Sequence, residues 1–286
     1  MNPLTKTNTP LSPDPRGLYP PDSLTWRINR ESALLLGGLR ALTMQIAHPL
    51  VAQGVYDHSR FREEPLGRLL RTLVRMLTIG FGTRAEAIQA AAMVRAVHGR
   101  VQGRLGEAVG AYPLHHPYRA DDPQLMCWVY ATLIDSSIVM YELLVRPLSP
   151  GDKEAYFQES KCWAQLLGVP ETLLPPDYSA FRTYVQEMLA GEQTGFGTVG
   201  RDVMDSVFFP GLRFVPRWAY APTRFLTNGL LPADLRRKLG FQWSPFRERG
   251  FRLLLRLLKF AYRLSPPLLR HLPQARRAAR RWKNGT

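Results

Sequence analysis

Residues 83–101 read TRAEAIQAAAMVRAVHGRV, with Ala87, Ala91, Val94, His98 and Val101 three or four residues apart. That interval puts them on one face of an α-helix; a strand would alternate its faces at every second residue. Thr83 with Glu86 three residues later is a capping-box pattern that starts such a helix, and Gly103 or Gly106 is where it is expected to end. His98 is the polar member of an otherwise apolar stripe. The stripe alone leaves two interpretations open: a hydrogen-bonded core histidine, which is the commoner arrangement, or a ligand aimed into the interior. Upstream, Gly67-Arg68-Leu69-Leu70-Arg71-Thr72 sets two guanidiniums and a hydroxyl on one side of another expected helix. Leu69, Leu70 and Leu73 mark its other side, and Arg75 extends the basic row. These arginines form either a solvated face or, with His98, what a buried, anionic, metal-bearing cofactor needs.

Outward from this hairpin the pattern stays helical. Residues 31–47 are apolar on most sides, as in a helix central to a fold, and His48-Pro49 marks its end. Gly37-Gly38 inside it costs roughly 1 kcal/mol of propensity per glycine, so close approach by another helix or a ligand is expected there. Further helices are expected over 66–77, 123–145, 152–167 and 177–189, with a break at Gly80-Phe81-Gly82 and a loop over 107–120. No sustained period-two run and no 20–50-residue repeat is present. With 286 residues and 45% hydrophobic side chains, the expectation is an all-α single domain packed around one core. It would span 26–264, between a Pro/Thr/Ser-rich leader (1–25) and a basic tail (265–286).

The net charge of +15 is uneven: residues 1–210 hold 20 Lys and Arg against 21 Asp and Glu, residues 211–286 hold 18 against 2. Such asymmetry points to nucleic acid or an anionic membrane. In Phe251–Leu264, Arg252, Arg256, Lys259 and Arg263 form a narrow basic stripe among apolar residues, as in a helix lying in a membrane interface. Arg270, Arg276, Arg277, Arg280, Arg281 and Lys283 add a polybasic segment. The alternative is a helix packed on the body with a solvated basic end. Nucleic acid is disfavoured, because no binding fold is recognisable. The leader lacks the apolar core of a signal peptide. A cytoplasmic protein is expected, peripheral on the inner face of the membrane if the tail binds lipid. The nearest approach to a membrane span, Ala33–Ala52, contains Arg40, His48 and Pro49 and reads as a core helix.

Other chemistry is sparse. Cys127 and Cys162 give neither a disulfide framework nor zinc spacing. Gly195-Phe196-Gly197-Thr198-Val199-Gly200 matches G-x-G-x-x-G but follows a helix, so a Gly-rich connection is expected rather than a dinucleotide site. A three-histidine iron site from His48, His58 and His98 is conceivable; His115-His116 reads as a solvated loop.

The blocks GGLRALTMQIAHPLVAQGVYDHSRF (37–61), PLGRLLRTL (65–73), FGTRAEA (81–87), VHGRVQG (97–103) and DPQLMCWVYATLIDSSIVMYE (122–142) occur in this order. Together they resemble the family of bacterial rubber oxygenases (latex-clearing proteins) and the fungal membrane-bound oxygenase MpaB, over Trp26–Leu189. The resemblance implies a globin-like helical bundle around non-covalent heme b, with His98 as proximal iron ligand. It places Arg68, Arg71 and Thr72 on the distal side or near the propionates. It also implies chemistry with O2 on a hydrophobic small-molecule or lipid substrate, such as cleavage of an isoprenoid C=C bond; a heme carrier or sensor without turnover, or a membrane-associated scaffold, is the alternative. The chain departs from the family pattern twice. Arg71 stands where rubber-cleaving members have a lysine able to ligate iron, and a guanidinium, always protonated, is a poor ligand. Tyr130 stands where many relatives have histidine. His48, Asp57 and His58 are candidates for supporting acid–base roles.

Overall fold

The computed structural model describes residues 14–59, 64–210 and 215–284, without the side chains of Pro65, Leu66 and Arg68. The chain is mostly helical, as expected. At its centre lies α6 (Pro123–Leu144), started by Asp122, whose side chain accepts from the Gln124 N–H. Its apolar residues face inward on nearly every side; Trp128, Ala131, Ile134 and Met140 are almost wholly buried. α6 is long and apolar enough to cross a membrane, but 67% of its most apolar window is buried within the protein, which fits a core helix.

Against α6 lie α1 (Leu24–Asn29) and α2 (Gly38–Ile46), with a 3-10 turn over Ser32–Gly37 leading into α2. The single helix expected over 31–47 is thus two pieces that meet at the glycines. A Cβ on Gly37 would stand 2.5 Å from Met140 Cγ, so the expected close approach is made by α6. The chain then bends by 102° into α3 (Pro49–His58). Among the described residues α6 passes the length and apolarity test for a span by itself, while the segment around Ala33–Ala52 passes it only as this bent pair.

The helical hairpin forms as α4 (Pro65–Phe81) and α5 (Arg84–His98). Gly82 separates them, and Thr83 and Glu86 exchange both bonds of the capping box. Ala87, Ala91 and Val94 are buried as the stripe requires. α5 ends at His98 rather than near Gly103, because the chain leaves the helix to form β1 (Gln102–Arg104), paired antiparallel with β2 (Pro117–Arg119). Three-residue strands carry no periodicity, which hides them within the expected loop.

α7 (Pro150–Leu166) and α8 (Tyr178–Ala190) form close to their expected spans, and α9 (Thr198–Phe208), which is not among the expected helices, begins inside the Gly-rich segment read as a connection. The C-terminal quarter folds as α10 (Ala221–Leu230), α11 (Ala233–Lys238), α12 (Pro245–Leu264), α13 (Pro267–Arg270) and α14 (Pro273–Asn284). It returns to the start of the chain. Glu31, 1% exposed, accepts from Tyr262 Oη at 2.7 Å and meets His271 at 3.4 Å. On α14, Ala275 and Ala278 enter the core. The Arg281 guanidinium of the polybasic segment donates to the backbone carbonyls of Arg16 and Phe81. α14 thus packs against the body at the turn of the α4–α5 hairpin.

Candidate functional site

His98 occupies the last position of α5, half-buried. Its Nδ1 lies 3.2 Å from the Sδ of Met126, one turn into α6. A thioether has no hydrogen to give, so this contact requires Nδ1–H to donate and leaves the lone pair on Nε2. Nε2 has no hydrogen-bond partner among the described residues. Burial pushes the ring's pKa below the usual histidine value, partly opposed by the Asp121 carboxylate, which favours the charged form. The imidazole is therefore neutral at pH 7, with the Nε2 lone pair unclaimed among the described residues, the state a metal ligand needs.

Arg71 and Thr72 lie on α4, which packs along α5. With Gly82-Thr83 as the apex and about 1.5 Å of rise per residue, His98 falls about 6 Å further from the apex than Arg71. The Arg71 and Thr72 side chains are exposed. The Arg71 guanidinium meets Glu64 at 3.2 Å, the two side chains being 55% and 51% exposed. The Arg68 side chain lies outside the described residues. The hairpin brings these residues onto two adjoining helices, but no described hydrogen bond joins Arg71 to His98. Around them the hairpin leaves Leu69, Leu70 and Val74 on α4 and Met93 and Val97 on α5 exposed.

The other histidines go elsewhere. His48 Nε2 lies 3.1 Å from the Tyr112 hydroxyl and its Nδ1 is buried without a partner; burial pushes its pKa down to about 4. His58 Nε2 faces the Gln102 carbonyl at 3.0 Å. Asp57 accepts from Tyr118 Oη at 2.6 Å and from Gln53 at 2.9 Å, which ties α3 to the β1–β2 pair. The three-histidine arrangement is not formed: among the described residues no three His, Cys, Asp or Glu side chains group to hold a metal ion. A heme iron takes four ligands from its macrocycle and needs only one axial histidine from the chain, so that result bears on a bare-metal site only. Tyr130 is buried and shares a 2.6 Å hydrogen bond with Ser160, so its phenol is engaged within the core.

The Gly-rich segment has a local explanation. The Val199 N–H at the start of α9 donates to Glu107 Oε1 at 2.9 Å, and a Cβ on Gly197 would stand 2.3 Å from that oxygen. The helix N-terminus where a dinucleotide phosphate would sit thus holds the chain's own carboxylate. Burial pushes the Glu107 pKa up, but the N–H groups of Val199 and Thr198 outweigh it and the net shift is downward. The adjoining crevice, between Pro49, Gln53, Val109 and Gly200, has about 10 Å³ of space, enough for one water.

Sequence reasoning missed Met126 and Asp121. Met126 lies 28 residues from His98, within the DPQLMCWVY block. Its place in an apolar helix gave it the appearance of ordinary core, and only the packing of α5 on α6 distinguishes it.

The helical fold and this hairpin belong to a known class. Residues 25–260 match the family described as ER-bound oxygenase mpaB/B'/rubber oxygenase, catalytic domain, and the chain belongs to that family. It is 29% identical over 237 residues to the uncharacterized proteins Mb2261 of Mycobacterium bovis and Rv2237 of Mycobacterium tuberculosis, covering 78% of this chain and 86% of each relative. No solved structure matches. An oxygenase family implies O2 and an organic substrate as reactants.

A heme would need one axial nitrogen from the chain; His98 offers one neutral imidazole, and the same hairpin presents Arg71 and Thr72 as hydrogen-bond donors together with exposed leucines, valines and a methionine.

Proposed function

We propose that this protein is a heme b-dependent oxygenase that acts with O2 on a hydrophobic substrate, with cleavage of an isoprenoid C=C bond into two carbonyls as the reaction class. The observation that carries this is His98, neutral, half-buried and fixed in one tautomer by Met126, in a chain of an oxygenase family. In this proposal residues 26–264 form a globin-like, oxygenase-like frame around the cofactor, the leader (1–25) and the basic tail (265–286) flank it in sequence while Ala275 and Ala278 of the tail pack into its core, and the protein works in the cytoplasm.

His98 would hold the iron through Nε2, with Met126 keeping the ring from rotating. Bound heme would supply O2 binding and electron transfer. Arg71 carries a guanidinium, which donates hydrogen bonds and is a poor metal ligand, so it would not coordinate the iron. Its exposed pairing with Glu64 is of the kind worth less than about 1 kcal/mol, so it is free to turn to a propionate, a substrate carboxylate or a polarised oxygen. Arg68 and Thr72 would add donors from the same helix, and charge developing on oxygen is stabilised by donors turned toward it. Leu69, Leu70, Val74, Met93 and Val97 would exclude water from the apolar substrate.

The test is O2 consumption by heme-loaded full-length protein given polyprenyl lipids of several lengths, with carbonyl products identified by mass spectrometry. Uptake coupled to carbonyl formation is expected, and Arg71→Ala should reduce it without releasing heme. Tight heme binding with no uptake across the lipid series would support a carrier or sensor instead.

A further inference from the structure

α12 has three faces. At about 100° per residue, Phe251, Leu255, Leu258 and Tyr262 fall together and dock on the body, packing with Met140 and Leu144 of α6 and Phe225 and Leu230 of α10. About 100° further round come Arg252, Arg256, Lys259 and Arg263. A further 100° or so, opposite the docked face, stand Phe246, Leu253, Leu257, Phe260 and Leu264. These five are 83%, 56%, 58%, 65% and 70% exposed. Their row runs the length of the helix, about 27 Å at 1.5 Å per residue, and Leu268 and Leu269 of α13 lie exposed just beyond it.

The sequence expectation contrasted a membrane-lying helix with one packed on the body; the structure has a helix packed on the body by one face that still presents an apolar row outward. Single exposed leucines are ordinary, but a contiguous row of this size marks an interaction surface. The neighbouring charge identifies what covers it. α12 carries six basic residues, Arg247, Arg249, Arg252, Arg256, Lys259 and Arg263, against Glu248, and Glu248 is already engaged by Trp243 and Arg252. A second copy docked row to row would lay two like-charged stripes side by side. Nucleic acid would match the basic stripe and leave the apolar row in water. An anionic bilayer satisfies both at once, with acyl chains for the row and headgroup phosphates for the stripe.

We propose that α12 is a membrane-docking helix, with Phe246, Leu253, Leu257, Phe260 and Leu264 entering the acyl boundary of an anionic bilayer. Arg252, Arg256, Lys259 and Arg263 meet the headgroups, and the opposite face stays anchored to the body. This surface is separate from His98 and does not depend on heme.

The experiment is co-sedimentation of the full-length protein with phosphatidylcholine vesicles, with and without phosphatidylglycerol, beside light scattering without vesicles. The variants are Leu257→Gln with Phe260→Gln, and Arg256→Glu with Lys259→Glu. All four positions lie off the docked face, and unchanged thermal melts verify the fold. Wild type should bind the anionic vesicles, and each variant pair should lower partitioning by more than about tenfold. Absence of wild-type binding, or equal binding by the Leu257/Phe260 pair, overturns the proposal. So does a dimer that this pair dissolves in the absence of vesicle binding, which would make a second copy the occupant.

Discussion

Replacing Asp135 by alanine should remove a large part of this protein's stability. Asp135 lies on α6 with 3% of its side chain exposed, and accepts from Arg40 of α2 at 2.6 Å and from Arg182 of α8. Arg40 is itself 4% exposed; its other donors reach Ser136 Oγ at 2.6 Å and the Leu230 carbonyl at 2.9 Å. Removing the carboxylate strands the Arg40 guanidinium in the core with two neutral acceptors. Deleting one member of a buried pair costs about 3–5 kcal/mol. The lower end applies, because Arg182 is 39% exposed and can return to water, while Arg40 keeps Ser136 and Leu230. About 3 kcal/mol is a sizeable share of a typical stability of about 5–15 kcal/mol, and the urea midpoint should fall by about 1 M or more with little change in slope. Replacing the pair together, Arg40→Met with Asp135→Leu, should recover much of the loss, since the buried charge goes too. A loss under about 1 kcal/mol for Asp135→Ala would refute the view that this carboxylate balances a charge buried in the core.

His48 predicts a pH dependence. Burial holds its folded pKa at about 4, against roughly 6.5 unfolded, so the unfolded chain takes the proton first as pH falls. This contribution is fully present above pH 6.5 and is lost progressively between there and about 4, up to about 3 kcal/mol. Urea titrations of wild type and His48→Gln across that range should differ in slope, and parallel profiles would contradict the assignment. Met126→Leu keeps the volume but removes the acceptor for His98 Nδ1; heme affinity measured by hemin transfer to apomyoglobin should fall by about tenfold or more, and an unchanged affinity would mean the sulfur contact does not orient the ring. Arg71→Ala should alter thermal stability by no more than about 0.5 kcal/mol, because its partner is exposed; a clear drop in the melt would show a structural role instead.

The parts of the fold visible in the sequence are those decided locally. The Thr83–Glu86 box, the prolines opening α4 and α6, and the apolar stripe of α5 each depend on residues within a turn or two. Gly37-Gly38 announced a close approach, though not that Met140 would make it. What stayed hidden depends on contacts across the chain. Arg40 looked like a defect in an apolar run until α6 brought Asp135 beside it. The two apolar faces of α12 are indistinguishable in sequence, and only docking on α6 and α10 tells the inner row from the outer. At the candidate site, His98 and the Arg68–Thr72 segment were legible from spacing and family resemblance. The Met126 contact that sets the tautomer was not, since a thioether acceptor leaves no motif.

The central claim is that His98 holds a heme iron. It is tested most directly by the absorption spectrum of hemin-loaded, gel-filtered full-length protein, recorded as isolated, after reduction and after exposure to CO, beside His98→Ala. The account predicts a Soret band that shifts on reduction and again with CO in the wild type, and a variant that loses the heme or shows a changed ferrous spectrum while remaining folded by circular dichroism. Full heme retention with an identical ferrous spectrum in His98→Ala would contradict it.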